Sequence, residues 1–158
     1  MLSTTISGGR TSDLSSLQSF EGFKVTRMST DAAKDGVPNR VCGLQKLIQR
    51  YATIFLTPSG SVPTAAKYGS GMVPAATRGF LVDRSSVLKY FALANMDATR
   101  QLRAESSDAL FGAQALDERL SKAALEDYAV DLQAAKLYLK VRIESLAGES
   151  AVFILPAK

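Results

Sequence analysis

Apolar residues recur every three or four positions in the segment RVCGLQKLIQRYATIFL, which follows Pro38 and Asn39. This spacing places the apolar side chains along one face of an α-helix. We therefore expect a first helix that begins after Asn39 and buries that face. The residues on the face are Val41, Leu44, Leu47, Ile48, Tyr51, Ile54 and Phe55.

A second helix is predicted to begin after Asp83, whose carboxylate can accept hydrogen bonds from the free amide groups of the first turn. The helical pattern continues to Leu102. It then becomes ambiguous, so that residues 104–124 fit either a further helix or an ordered loop. The apolar stripe of this helix consists of Val87, Phe91, Ala94 and Ala98, with Leu88 and Ala92 beside it.

The C-terminal third has the two-residue period of β-strands. In KLYLKVRIES, four apolar residues alternate with five polar or charged ones, which predicts a half-buried strand. Tyr128, Val130 and Leu132 alternate before it, and AVFIL follows the turn AGES. Three antiparallel strands with turns at 133–135 and 147–150 are the simplest connection. The fold class is therefore predicted to be α+β, with two main helices packed on this small C-terminal antiparallel sheet.

The first residues have a different composition. Residues 1–20 are rich in Ser, Thr and Gly and have only isolated leucines, so they cannot bury enough apolar surface to order themselves. We expect an extended N-terminal arm over residues 1–36, in which GFKVTRM at 22–28 permits one short edge strand. Residues 37–158 would then form a single α+β domain.

Composition excludes several classes of function. The longest apolar runs are far shorter than the roughly 18–20 residues that a membrane span needs. The N-terminus lacks the pattern of a secretory signal peptide, so synthesis in the cytoplasm is expected. The chain has no histidine and one cysteine, Cys42. A zinc site, an internal disulfide and a histidine-based catalytic system are therefore not expected. Cys42 is predicted to be a small core residue.

The net charge of +4 comes from one part of the chain. Residues 37–84 contain six basic residues and one acidic residue. Such an excess favours an acidic protein surface or nucleic acid as a partner. The six cations are separated, however, and no recognised nucleic-acid module accompanies them. Nucleic-acid binding is therefore not the expected role.

The loop FLTPSGSVPTAAKYGSG, residues 55–71, raises the question of phosphate binding. No Gly-Lys-Ser/Thr follows Gly60 at the distance a P-loop requires, and Gly69-Ser70-Gly71 lacks the third glycine of a dinucleotide fingerprint. A flexible linker and an ordered loop remain. Tyr68 and the apolar residues that follow the loop provide anchors and favour the ordered loop. No cofactor is expected.

Two acidic pairs, Asp117-Glu118 and Glu126-Asp127, could suggest glycosidase chemistry. Adjacent side chains diverge on a helix and point to opposite faces of a strand, so neither pair would flank one glycosidic bond. We interpret both pairs as solvated charge and expect no enzymatic activity.

Several short motifs occur in a recognisable order. An apolar helix ending in Leu56-Thr57 is followed by Gly60, by Tyr68-Gly69-Ser70-Gly71, by a second helix, by Asp117-Glu118-Arg119-Leu120, and by strands from about Leu125 to Leu155. This order resembles the baseplate wedge and tail-sheath initiator proteins of contractile phage tails, a protein-W-like family that often carries a lysozyme label. The resemblance covers roughly residues 40–158. The family usually has Glu-Pro-Arg where this chain has Asp-Glu-Arg.

The resemblance implies a non-enzymatic structural component of the tail baseplate that links wedge proteins to the sheath and templates the first sheath ring by strand addition. It would be made in the host cytoplasm and reside in the virion in several copies. Its partners would be wedge proteins and the sheath protein, with tail tube or hub proteins as further candidates. The implied contact residues are Asp117, Glu118, Arg119 and Leu120 for wedge partners, Thr57, Gly60, Tyr68, Gly69 and Gly71 in the loop, and Ala151, Val152, Phe153, Ile154 and Leu155 for the added sheath strand.

Other interpretations remain open at this point. The chain could be a small basic nucleic-acid-binding or regulatory adaptor, and the family label suggests a peptidoglycan hydrolase, which the adjacent acidic pairs disfavour. Arg119 could pair with Asp117 or Glu118 inside the chain. The last strand could simply complete the sheet beneath the helices of the same protein.

Overall fold

The computed structural model describes residues 42–107, 114–131 and 136–157, together with the backbone of six short strands between residues 13 and 41. These strands are β1 Asp13–Leu14, β2 Leu17–Phe20, β3 Phe23–Met28, β4 Ala33–Lys34, β5 Val37–Pro38 and β6 Arg40–Val41. They are followed by helices α1 Gly43–Leu56, α2 Met72–Thr77 and α3 Arg84–Ser107, a short 3-10 turn at Leu116–Glu118, and strands β7 Leu120–Asp131, β8 Lys136–Ser145 and β9 Ser150–Pro156.

Helix α1 has the predicted apolar face, and its buried residues include Leu47, Tyr51, Ile54 and Phe55. The helix begins at Gly43, after an extended Cys42, because residues 40–41 form a strand instead. The prediction that Cys42 is a core residue is wrong. Its thiol is exposed, since the residue precedes the helix and lies off its buried face.

Helix α3 begins where the sequence predicts. The Asp83 carboxylate accepts a hydrogen bond from Ser86 N–H at 2.7 Å. A hydrogen bond from the Ser86 side chain, and then this backbone bond, lower the pKa of Asp83. The helix extends to Ser107, so the first residues of the ambiguous region are helical, while residues 108–113 lie outside the described part of the chain. Its buried stripe is Val87, Phe91, Ala94, Ala98 and Leu102.

Strands β7, β8 and β9 form the predicted antiparallel arrangement, with β8 in the middle. The predicted α+β class is therefore confirmed. Strand β7 begins at Leu120, earlier than the alternating pattern suggests, because its register shifts between Leu120 and Lys122 and again between Leu125 and Asp127. The predicted turn at 133–135 lies outside the described residues, and the second turn occupies 146–149.

The sheet extends beyond the three predicted strands. Strand β3 runs parallel to β9, with Val25 opposite Ile154, and β2 pairs with β3. The order is β2-β3-β9-β8-β7. A strand at Phe23–Met28 agrees with the alternation in GFKVTRM, but it is not the expected edge strand, because it lies between β2 and β9. Residues 1–12 of the expected arm lie outside the described part of the chain.

The core lies between one face of the sheet and helices α1 and α3. The sheet contributes the inward residues of β8 and β9, such as Val141 opposite Phe153. The ring of Tyr51 packs edge-on against Phe153, with centroids 6.2 Å apart. Because α1 crosses this core, its C-terminal end positions the loop 57–71, and its N-terminal end contacts the segment that contains Asp117 and Glu118.

Candidate protein-docking site

The segment 57–71 forms a closed loop between α1 and α2. Its ends lie side by side, because Pro58 and Ser70 form a parallel bridge. Ser59 N–H donates to Ser70 O at 3.0 Å, and Ser70 N–H donates to Thr57 O at 2.8 Å. A compact loop whose ends meet in this way is an Ω-loop, a class that frequently has a function. The loop is therefore ordered by its own backbone bonds, and it is not a flexible linker.

Gly69 is the position at which the loop depends on glycine. Its φ angle is +100°, a conformation that residues with a side chain rarely adopt. A Cβ atom at this position would lie 2.4 Å from Thr57 O and 3.1 Å from the backbone of Pro58. The close approach of the two loop ends therefore requires a residue without a side chain.

Two side chains fasten the base of the loop to the helices. Ser70 Oγ donates to Phe55 O at 2.6 Å, at the last turn of α1, and accepts a bond from Met72 N–H at 3.2 Å, at the first turn of α2. The Gln101 amide on α3 pairs with both backbone groups of Gly69, at 2.9 and 2.8 Å. The base is thus fixed to all three helices.

The tip of the loop faces solvent. Gly60 and residues 63–67 are exposed, and Gly71 is exposed at the start of α2. Tyr68 is half-buried beside an open, mostly apolar cleft of about 430 Å³ between the loop and α3. Burial raises the pKa of Tyr68, and so does the nearby Glu105 carboxylate, while Arg50 acts in the opposite direction. Of the five predicted loop residues, Gly69 is therefore buried in the base of the loop, and the other four are more accessible: Thr57, Gly60, Tyr68 and Gly71.

The acidic part of the 117–120 segment faces the protein interior. Glu118 is 2% exposed; its carboxylate accepts a bond from Gly43 N–H at 3.3 Å and forms an ion pair with Lys46 at 3.1 Å. Asp117 is buried beside it, where a Cβ at Gly43 would lie 2.8 Å from its Oδ2 atom. Negative charge is favourable here because the N-terminus of a helix carries partial positive charge. In this conformation Asp117 and Glu118 hold the start of α1 and are not accessible to a partner.

Arg119 differs from its neighbours. Leu120 is buried in the core, whereas Arg119 is half-buried. Its backbone carbonyl accepts a bond from Leu146 N–H at 2.9 Å, which fixes the residue against the turn between β8 and β9. Its Nε atom is buried and has no hydrogen-bond partner among the described residues. Glu118, one of the two predicted internal partners of Arg119, forms its ion pair with Lys46 instead.

Residues 151–155 do not form an open edge of the described sheet. Strand β9 lies between β8 and β3. Ala151, Phe153 and Leu155 lie on the face towards the helices, where Phe153 and Leu155 are buried and Ala151 is half-buried. Val152 and Ile154 are half-buried on the opposite face. Addition of another strand directly to β9 would therefore require β3 to leave. The edge strands of this sheet are β2 and β7.

The basic excess of residues 37–84 is reduced by internal pairing. Lys46 is 4% exposed and paired with Glu118, and Arg50 forms an ion pair with Glu105 on α3. Lys67, Arg78 and Arg84 remain at exposed positions. The surface charge available to a nucleic acid is thus smaller than the sequence count indicates, because two cations serve the fold.

Three polar residues that organise this region have no recognisable signal in the sequence. Lys46 pairs with a glutamate 72 positions away, and Gln101 contacts a glycine 32 positions away. Asn95 accepts a bond from the Tyr51 hydroxyl at 2.9 Å and donates to Ala123 O at 3.1 Å. Each looks like an ordinary surface residue of a helix until the tertiary structure supplies its partner.

Among residues 42–107, 114–131 and 136–157, no cluster of His, Cys, Asp or Glu is arranged to hold a metal ion. Within the same residues, no helix has the length and apolar character needed to cross a membrane. No protein-family model, curated protein or solved structure matches the chain. Inference about its function therefore rests on the geometry described above and on the order of its motifs.

Proposed function

We propose that this chain is a non-enzymatic structural component of a contractile phage tail baseplate. It links wedge proteins to the sheath and acts as a template for the first sheath ring by pairing with a sheath strand. The proposal places it in the virion, in several copies, in contact with wedge proteins and the sheath protein. Its support is the order of motifs from Leu56 to Leu155 together with the environment of Arg119.

Arg119 carries the proposal. A buried donor without a partner costs roughly 1–3 kcal/mol, and a guanidinium group binds carboxylates with two parallel hydrogen bonds. The bond from Leu146 N–H fixes the backbone of Arg119, and the Nε atom of its side chain has no hydrogen-bond partner among the described residues. A carboxylate of a wedge protein would bind the half-exposed Arg119 side chain once it turns outward, and this would satisfy the donor. Asp117 and Glu118 then contribute indirectly, by fixing the backbone that presents Arg119.

The loop 57–71 is the second contact in this proposal. Its tip is exposed and its base is rigid, so a partner could bind without paying the entropy of ordering it. Tyr68 and the neighbouring cleft offer an apolar anchor. Lys67 adds a positive charge at the same place. An acidic surface on a wedge protein would match this end of the molecule.

Substitution of Arg119 tests the wedge contact. Arg119→Ala should abolish copurification with wedge proteins, because it removes the two-bond recognition of a carboxylate. It should leave the fold intact without lowering the thermal unfolding midpoint, because the unpartnered buried donor is removed with the side chain. Arg78→Ala is the matched control, since Arg78 is an exposed arginine at the end of α2. Normal assembly of the Arg119 variant would refute this role.

Sheath pairing can be tested by locking β3 onto β9. In a Cys42→Ser background, a disulfide between Val25→Cys and Ile154→Cys would join directly paired positions, whose separation in a sheet suits a disulfide. Under the proposal a sheath strand replaces β3, so the oxidised protein should fail to nucleate sheath rings in electron micrographs. Reduction should restore them. Rings that form equally well on the oxidised protein would rule out replacement of β3.

A further inference from the structure

One edge of the sheet is only half covered. Strand β7 ends the sheet order, and helix α3 lies along it. In the first half of β7, the Asn95 side chain donates to Ala123 O at 3.1 Å and so caps an edge carbonyl. In the second half, Tyr128 N–H donates at 2.8 Å to the carboxylate of its own neighbour, Asp127. The Asp127 carboxylate therefore occupies the position that a backbone carbonyl of an added strand would take.

A cleft lies next to this second half. It has a volume of about 420 Å³ and runs between the beginning of α3 and β7, lined by Arg84, Leu88, Leu125, Glu126, Asp127 and Tyr128. Leu88 is 45% exposed on the helix side, and Val130, further along the strand, is 51% exposed. The groove therefore has a backbone edge on one wall and an apolar helix side chain on the other, which is the lining that an added extended chain uses.

The charges of the groove are asymmetric. Glu126 forms ion pairs with Arg142 and Lys140 on β8. Asp127 accepts the bond from Tyr128 N–H. Arg84 is exposed and forms no ion pair with the described residues. The positive charge offered to a ligand therefore lies at the helix end of the groove, at Arg84, whereas Asp127 keeps its negative charge on the strand side.

From these observations we infer that the groove between α3 and β7 binds an extended segment of a partner protein. The segment adds as a further strand along residues 125–130, places an apolar side chain against Leu88 and Leu125, and places a carboxylate at Arg84. The occupant is an extended chain because an unpaired strand edge selects backbone groups, and it is acidic near Arg84 because that exposed cation has no ion pair with the described residues. The capped carbonyl of Ala123 limits the segment to the second half of β7. This site is distinct from β9 and from Arg119, and the inference does not rest on the baseplate role.

The test uses the full-length protein and short fluorescein-labelled peptides, with fluorescence polarisation as the measurement. The peptides alternate valine or isoleucine with threonine and end in glutamate, glutamine or lysine. Saturable binding is expected, strongest for the glutamate series. Leu88→Asp should weaken it by about tenfold or more, whereas Met96→Asp, an exposed apolar position on α3 outside the groove, should not. Arg84→Glu should transfer the preference to the lysine series, with Arg103→Glu as control.

Two methylated forms of the best peptide separate strand addition from simple apolar contact. N-methyl groups on alternate amides block one edge of an extended peptide and leave the other intact. One form should bind like the parent and the other should not bind. Equal binding of both forms, or binding that Leu88→Asp leaves unchanged, would overturn the inference. So would a protein dimer in sedimentation experiments that Leu88→Asp dissociates, because the occupant would then be a second copy of this chain.

Discussion

Replacing Gly69 by alanine should be among the most damaging single substitutions in the loop 57–71. The new methyl group would lie 2.4 Å from Thr57 O, far inside van der Waals contact, and the neighbouring atoms are backbone of Pro58. Neither can rotate away. The loop end would have to move, and the two bonds from the Gln101 amide to Gly69 would weaken with it.

The expected cost follows from three contributions. A side chain at positive φ costs about 1–2 kcal/mol. Relief of an overpacked contact costs about 1–3 kcal/mol. Each weakened hydrogen bond costs about 0.5–1.5 kcal/mol. Alanine also lowers the conformational entropy of the unfolded chain, which offsets about 0.4–1 kcal/mol of this loss of stability. The net loss is about 2–8 kcal/mol, a large part of the roughly 5–15 kcal/mol that stabilises a typical domain.

Two other glycines provide the matched controls. Gly79 has a φ of +72° and open space around its Cβ position, so Gly79→Ala should cost about 1 kcal/mol from backbone strain alone. Gly71 has a negative φ and open space, so Gly71→Ala should change stability by less than about 0.5 kcal/mol. Urea unfolding at constant slope gives the three values. If Gly69→Ala destabilises the protein no more than Gly79→Ala, the contact with Thr57 does not constrain the loop.

Two further predictions concern charged residues. Glu118→Ala should lower the free energy of unfolding by about 3 kcal/mol, since it removes a buried ion-pair partner of Lys46 and an acceptor at the start of α1; urea unfolding measures this, and the exposed Glu149→Ala should be nearly neutral. A hydrogen bond from Arg142 lowers the pKa of Glu126. The ion pair therefore stabilises the fold fully above the unfolded pKa of about 4.3, and this stabilisation is lost as the pH falls through the lowered folded-state pKa. In Arg142→Ala the pKa of Glu126, followed by NMR titration, should rise towards its usual value; an unchanged titration would contradict this account.

The parts of the fold that the sequence could predict are those governed by local periodicity. The buried face of α1, the capping of α3 by Asp83 and the alternation in β8 all follow from side chains a few positions apart. The beginning of β7 was obscured because two register shifts interrupt the alternation that defines a strand. Helix α2 is too short for a periodic signal, with only six residues.

The candidate site was less predictable because distant contacts organise it. The sequence identified Arg119 and the glycine loop by motif, but nothing local distinguishes a solvated Asp117-Glu118 pair from one buried at a helix N-terminus. Glu118 forms its ion pair with Lys46 and not with Arg119, because of the way α1 packs against the 3-10 turn.

The pairing of β3 with β9 also determines when the sheet can close. Most of the chain lies between Val25 and Ile154, so this contact has one of the longest sequence separations in the protein. Contacts of this kind form late, because closing so long a loop costs entropy that is offset only when the intervening chain is already ordered. Hydrogen exchange during refolding should therefore protect the β8 amides first and the β3 amides last. Until that last step, the unfinished side of β9 is exposed to any other strand in its surroundings, and the speed of closure sets how long this interval lasts.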